Sequence, residues 1–122
     1  MLKVLYLPIG SQPGTIDGFK NAGVDLRVYD FHTASQQKGK PQVCAEFLQH
    51  VEEHKPDLVH MQLQMTRVID VKTLKKAKSI VPNAVFTNWT GDIRKRPDPG
   101  FVSTSHAVDY SLNEKVKEFY QE

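Results

Sequence analysis

The stretch Asn88-Trp89-Thr90-Gly91-Asp92-Ile93-Arg94 sets an amide, an indole, a carboxylate and a guanidinium around one glycine. It follows the short apolar run Ala84-Val85-Phe86 and so reads as a loop leaving a strand. A loop that only had to turn would favour Gly, Pro, Asn or Asp. Asp92 is suited to act as a general base or to orient a hydroxyl, and Arg94 to hold a carboxylate or phosphate. Trp89, the only Trp of the chain, offers a face on which a sugar or a base can stack. The competing reading is structural, with Trp89 filling a gap against a final helix and Asp92 paired with Arg94 at the surface. Residues 94–100 (RKRPDPG) read as an exposed lid or linker.

Two further clusters have chemistry within reach. Gly10-Ser11-Gln12-Pro13-Gly14 places two glycines ahead of a helix, where backbone N–H groups and the helix dipole can hold an anion or a sugar hydroxyl. The GxGxxG spacing is absent and Pro13 removes a donor, so a dinucleotide site is not indicated, and a plain strand-to-helix turn is the alternative. Asp30 stands roughly 20 residues beyond that loop, the place of a ribose-binding acid, but without the glycine fingerprint to support it. His60, Gln62 and Gln64 alternate along a third strand and share a face. Gln62 and Gln64, nearest its carboxyl end, are expected to reach a ligand, and His60 to be a satisfied core or interface histidine. His50 and His54 lie four apart, but their Glu and Lys neighbours suggest a solvated helix face. With no HExxH pattern, neither a metal nor any cofactor is expected.

The elements that must position these residues alternate between strand and helix. Apolar runs predict strands at Lys3–Pro8, Asp25–Asp30, Leu58–Leu63, Ala84–Thr87 and Ala107–Leu112. Helical patterns fall at about Thr15–Ala22, with Gly23 as C-cap, at Pro41–His54, at Val71–Ile80, and after a capping Asn113. The polar stretch Phe31–Lys40 reads as an exposed loop. This alternation implies βαβ units and a Rossmann-like, doubly wound parallel sheet of about five strands between helical layers. The expected strand order is 3-2-1-4-5, which reverses between the first and fourth strands. Ligands bind outside the carboxyl ends at such a reversal, so the 9–14 and 88–94 loops would frame the site.

Composition sets the outer bounds. The chain has 122 residues, 39% hydrophobic and 25% charged, the usage of one soluble globular domain. A net charge of +2, from 16 basic and 14 acidic side chains, is too balanced for nucleic acid or an anionic membrane as main partner. The basic run Lys72–Lys78 reads as the solvated face of a helix. Cys44, the only cysteine, excludes an internal disulfide framework and fits a buried thiol. No run approaches the roughly 18 apolar residues of a membrane span, and no signal-peptide layout precedes the first strand. Cytoplasmic residence is the expectation.

Three stretches, PDLVHMQLQ (56–64), VFTNWTGDIR (85–94) and HAVDYSLNEKVKEFYQE (106–122), resemble the N-terminal half of bacterial and phage glycosyltransferases. These are the group 1 and spore-maturation-protein-like enzymes of GT-B fold, and NWTGD carries the most specific part of the likeness. The resemblance implies an acceptor-side Rossmann-like domain facing a second, donor-binding domain, with sugar transfer from a nucleotide-sugar in the cleft between them and no essential bound metal. It implies Asp92 for base or acceptor orientation, with Gly10, Ser11, Gln62, Gln64, Asn88, Trp89, Thr90, Gly91 and Arg94 along the acceptor side. The donor-binding half is not in these 122 residues, so the chain alone is expected not to transfer sugar. The alternative is a stand-alone, non-enzymatic domain that binds a small ligand or regulates. Flavodoxin and receiver readings are weaker. The first loop lacks a Ser/Thr-rich phosphate cradle and an acidic pair.

Overall fold

The computed structural model describes residues 1–10, 12–63, 68–89, 108 and 110–112. In chain order the elements are β1 (Lys3–Leu7), α1 (Pro13–Asn21), β2 (Asp25–Val28), α2 (Phe31–Lys38) and α3 (Lys40–His54). There follow β3 (Leu58–Met61), α4 (Val71–Ile80), β4 (Val85–Trp89) and a short β5 (Tyr110–Leu112). All four strand pairs are parallel, giving a Rossmann-like α/β fold. Among the described residues, no helix is long and apolar enough to cross a membrane.

The sheet order is β2-β1-β3-β4-β5, which corrects the expected 3-2-1-4-5. Strand β3 pairs directly with β1, from Val4↔Leu58 to Leu7↔Met61. Strand β2 is pushed to the edge, and its residues explain why. Its sequence, DLRV, sets Asp25 and Arg27 two apart, and none of its four residues is buried. An edge strand tolerates such charges, whereas the inner β1 is buried from Val4 to Leu7. The order of strands therefore reverses between β1 and β3, where a reversal between β1 and β4 was expected.

Strand alternation divides the side chains between two layers. Leu5, Leu7, Val59, Met61, Leu63 and Phe86 face one side, where Val43, Phe47 and Val51 of α3 and Leu74 and Ala77 of α4 complete the main core. Tyr6 and His60 face the other side and meet Phe19 of α1, with ring centroids 5.6 Å and 5.9 Å away. The solvated face expected for Lys72–Lys78 is present in α4, with Lys72, Lys75 and Lys76 exposed. Lys78 folds back to donate to the Ala84 carbonyl at 2.6 Å.

Helix α2 replaces the expected loop at Phe31–Lys40. Asp30 caps it, accepting from the Thr33 N–H at 3.1 Å and the Thr33 hydroxyl at 2.7 Å, while Phe31 and Ala34 anchor it in the core. Capping this helix is the role the structure shows for Asp30. The His50–His54 face is not solvated either. His54 is buried, its Nε2 3.2 Å from the carbonyls of Val4 and Asp25, and His50 meets Tyr29 in a tilted ring contact with centroids 4.6 Å apart. Cys44 is partly buried, with Sγ 3.2 Å from the Val68 carbonyl. Among the described residues, no cluster of His, Cys, Asp or Glu could hold a metal.

Candidate functional site

A cleft of about 270 Å³ opens where the carboxyl ends of β1, β3 and β4 meet the start of α1. Its lining is Tyr6, Gln12, Thr15, His60, Gln62 and Trp89. Register explains the company: Tyr6 pairs with His60, and His60 with Thr87, so these side chains stand on one face with Trp89 two residues further on. Trp89 is 39% exposed, a large aromatic held at the wall of the cleft.

Two glutamines build the rim. The Gln62 Oε1 accepts from the Ile9 N–H at 2.8 Å, and the Gln12 Nε2 donates to the Ile9 carbonyl at 3.1 Å. Both main-chain groups of Ile9 are thereby held by side chains that line the cleft. Gly10 then turns the loop with φ of +68°, a left-handed conformation that favours glycine. Pro13 opens α1 in a first-turn position where its missing N–H breaks no bond.

The floor is aromatic. His60 lies nearly parallel to Tyr6, at 5.6 Å and 20°, and its Nδ1 is 2.6 Å from the Thr87 hydroxyl. Burial lowers the His60 pKa, so the ring is neutral at pH 7. The Tyr6 pKa is raised, chiefly by burial and against a smaller opposing effect of Thr15. Thr15 approaches the Tyr6 hydroxyl without forming a well-aligned hydrogen bond, so this buried group has no protein partner of good geometry.

The sequence-derived residues are distributed unevenly over this geometry. Gln62 and Trp89 line the cleft, and Gly10 shapes the loop beside it. Asn88 does neither. It belongs to β4 and points into the opposite layer, fully buried, where its Oδ1 accepts from the Leu63 N–H at 2.8 Å and its Nδ2 donates to the Leu63 carbonyl at 2.7 Å. Strand β4 thus runs two residues past the expected Thr87, and alternation sends Asn88 and Trp89 to opposite faces. Ser11, Gln64, Thr90, Gly91, Asp92 and Arg94 lie outside the described residues. Tyr6, Thr15 and His60 were not expected in the site, and Gln12 only as part of the 9–14 loop. The signal for Tyr6 and His60 was their place, one polar-tipped aromatic near the end of each of the paired strands β1 and β3.

No protein-family model matches the sequence, and no curated protein matches it significantly. Solved structures do resemble it. One is a chain in the crystal structure of the histidine kinase ThkA in complex with the response regulator protein TrrA. It has a TM-score of 0.53 and 14% identity over 93% of this chain and 86% of that one. Another is a pilus assembly-related protein from Burkholderia pseudomallei, with a TM-score of 0.57 and 14% identity over 93% of this chain and 78% of that one. At such identity the likeness is one of fold, and it places this chain among three-layer α/β domains with a parallel sheet.

Proposed function

We propose that this chain is a sugar-binding Rossmann-like domain, the acceptor-side half of a GT-B glycosyltransferase, with its acceptor seated in the cleft beside Trp89. The observation that carries the reading is the lining itself. One half-exposed indole stands over two carboxamides, a hydroxyl and an imidazole. Aromatic faces and fixed amides are the groups that stack on a sugar ring and bind its hydroxyls. The resemblance of residues 85–94 to the NWTGD stretch of those enzymes supports it, as does the cleft's position at the carboxyl ends of a parallel sheet. Asp92 is the residue we assign to base or acceptor orientation in the full enzyme, with a nucleotide-sugar as donor.

Because Trp89 is the only Trp, its emission reports on the cleft without a label. Titration with neutral mono- and oligosaccharides is expected to shift or quench that emission saturably. A panel of sugars that leaves it unchanged, with no binding by calorimetry, would count against the reading. The chain alone is expected to show no donor-dependent transfer.

A non-enzymatic binding module is the second reading, and one observation favours it. No carboxylate lines the cleft among the described residues, so the groups there hold a ligand more readily than they transform it. The absence of an acid at the ends of β1 and β3 equally leaves no phosphoryl-accepting Asp there, despite the fold shared with signalling complexes.

A further inference from the structure

Strand β2 closes one end of the sheet, and its outer side carries no further strand among the described residues. The Asp25 N–H donates to the Leu2 carbonyl at 2.8 Å, and the Tyr29 N–H to the Tyr6 carbonyl at 2.9 Å. Main-chain groups alternate in direction along a strand, so Asp25, Arg27 and Tyr29 bond inward to β1. The amides and carbonyls of Val24, Leu26 and Val28 consequently point outward. Neither proline nor glycine interrupts residues 24–28 (VDLRV), and Val28 is exposed. Such a row of outward groups is a template for another strand.

The side chains say which strand fits. Leu26 and Val28 pair in register with Val4 and Tyr6 and share their face, together with Val24, whereas Asp25 and Arg27 stand on the opposite face with Lys3 and Leu5. Both charges remain available. Arg27 meets Glu53 only loosely, at 3.6 Å between partly exposed side chains, and among the described residues the Asp25 carboxylate has no ion-pair partner.

Consider a second copy running antiparallel about a two-fold axis at Leu26. Leu26 then opposes its own counterpart and Val24 opposes Val28, and these are the hydrogen-bonded pairs made by the outward groups. Asp25 opposes Arg27 twice over, in the non-hydrogen-bonded pairs where side chains come closest. Apolar meets apolar on one face, and carboxylate meets guanidinium on the other. An axis at Arg27 would oppose two guanidiniums, and one at Val28 would set Leu26 against Asp30. A lone charge guards an edge against any strand, whereas opposite charges two residues apart admit this one.

We propose that two copies of this chain associate through β2, antiparallel and centred on Leu26, joining their sheets into one. The cleft lies at the ends of β1, β3 and β4, so the inference is independent of the sugar reading. One short strand a side is at the small end of specific interfaces, and a dissociation constant on the order of 0.1 mM is expected.

Sedimentation velocity of the chain, over concentrations that bracket this value, should show a reversible monomer–dimer equilibrium. The Leu26 and Val28 amide signals should move on dilution in NMR spectra. Asp25→Arg and Arg27→Asp each bring like charges together twice and should weaken association by about tenfold or more. Mixed in equal amounts, the two variants should associate about as tightly as wild type, since each copy supplies the charge that the other lacks. The Asp25→Arg/Arg27→Asp chain should self-associate likewise, which separates loss of a charge contact from damage to the fold. A wild-type chain that stays monomeric over the whole range overturns the proposal. So do single variants that associate like wild type, a mixture that stays monomeric, or a dimer whose Leu26 and Val28 amides ignore dilution.

Discussion

Replacing Asn88 with alanine is expected to damage stability far more than ligand binding. The carboxamide makes two hydrogen bonds to the main chain of Leu63, at 2.8 Å and 2.7 Å, and it is fully buried beside a residue that is itself buried. It behaves as one more rung of the sheet. The last β3–β4 register pair is Met61↔Asn88, and the side chain of Asn88 extends that pairing to Leu63. Alanine would leave the Leu63 N–H and carbonyl unsatisfied inside the core, at about 1–3 kcal/mol for each group. Partial relaxation or water entry puts the total near 2–5 kcal/mol. In a domain of this size about 1 kcal/mol moves the melting temperature by roughly 4 °C. A fall of about 8–20 °C in a circular-dichroism melt is therefore expected, with a matching drop in the urea midpoint. Asn88→Asp sharpens the point. An ionised carboxylate cannot donate to the Leu63 carbonyl, so this variant should be weak at pH 7 and recover as the pH falls and the buried carboxyl takes up a proton. A loss below about 1 kcal/mol for Asn88→Ala, or wild-type stability of Asn88→Asp at pH 7, would refute the reasoning.

Gln62→Leu should free the Ile9 N–H from its acceptor, speeding hydrogen exchange of that amide and weakening ligand binding, with about 1 kcal/mol of stability lost. Unchanged exchange at Ile9 would show that the loop is held by other means. Gly10→Ala meets no steric obstacle at Cβ, so its cost is the left-handed backbone alone, about 1 kcal/mol by chemical denaturation. Asp70 caps α4 by accepting from the Thr73 hydroxyl and N–H, which lowers its pKa, and Asp70→Ala should cost about 1 kcal/mol at pH 7. A folded pKa below the unfolded one means this contribution is present above the unfolded value and fades as pH falls through the folded one, so the difference from wild type should shrink in acid. Glu46 offers a parallel case, with hydrogen bonds from Lys38, Gln42 and Tyr29 lowering its pKa to about 2. Glu46→Gln should flatten the acid limb of the stability profile from the ordinary carboxylate range down to that value, as read by melts across pH.

Much of the scaffold was legible because its signals are local. The run KVLYL, the stripe of Val43, Phe47 and Val51, and the breaker Pro82-Asn83 each speak through periodicity or backbone chemistry, and the elements stand there. Helix α2 escaped because FHTASQQK carries only two buried residues, and tertiary packing of Phe31 and Ala34 outweighs its polarity. Its capping pair, Asp30 with Thr33, was a readable clue. Strand order was misread for a different reason. Which inner strand β3 joins is decided by packing across the whole sheet, although the charges of β2 already marked that strand as an edge. In the site, Trp89 was legible as an oddity of composition, whereas Asn88 was assigned by sequence proximity. Neighbours on a strand point to opposite faces, so proximity in sequence misleads there. The pairing of Tyr6 with His60 joins residues 54 positions apart, and register alone brings them together.

The placement of β1 between β2 and β3 also has a consequence for the birth of the protein. Once Val28 has left the ribosome, β1 can pair with β2 across one helix, but its other edge has no partner until Met61 follows. Those 33 residues take roughly 2–7 s at a synthesis rate of about 5–20 residues per second. For that interval the most apolar strand of the nascent chain shows a bare row of amides and carbonyls, open to another chain's strand. Slow translation between residues 28 and 61 should lengthen this exposure and raise the need for chaperones, whatever the stability of the finished fold.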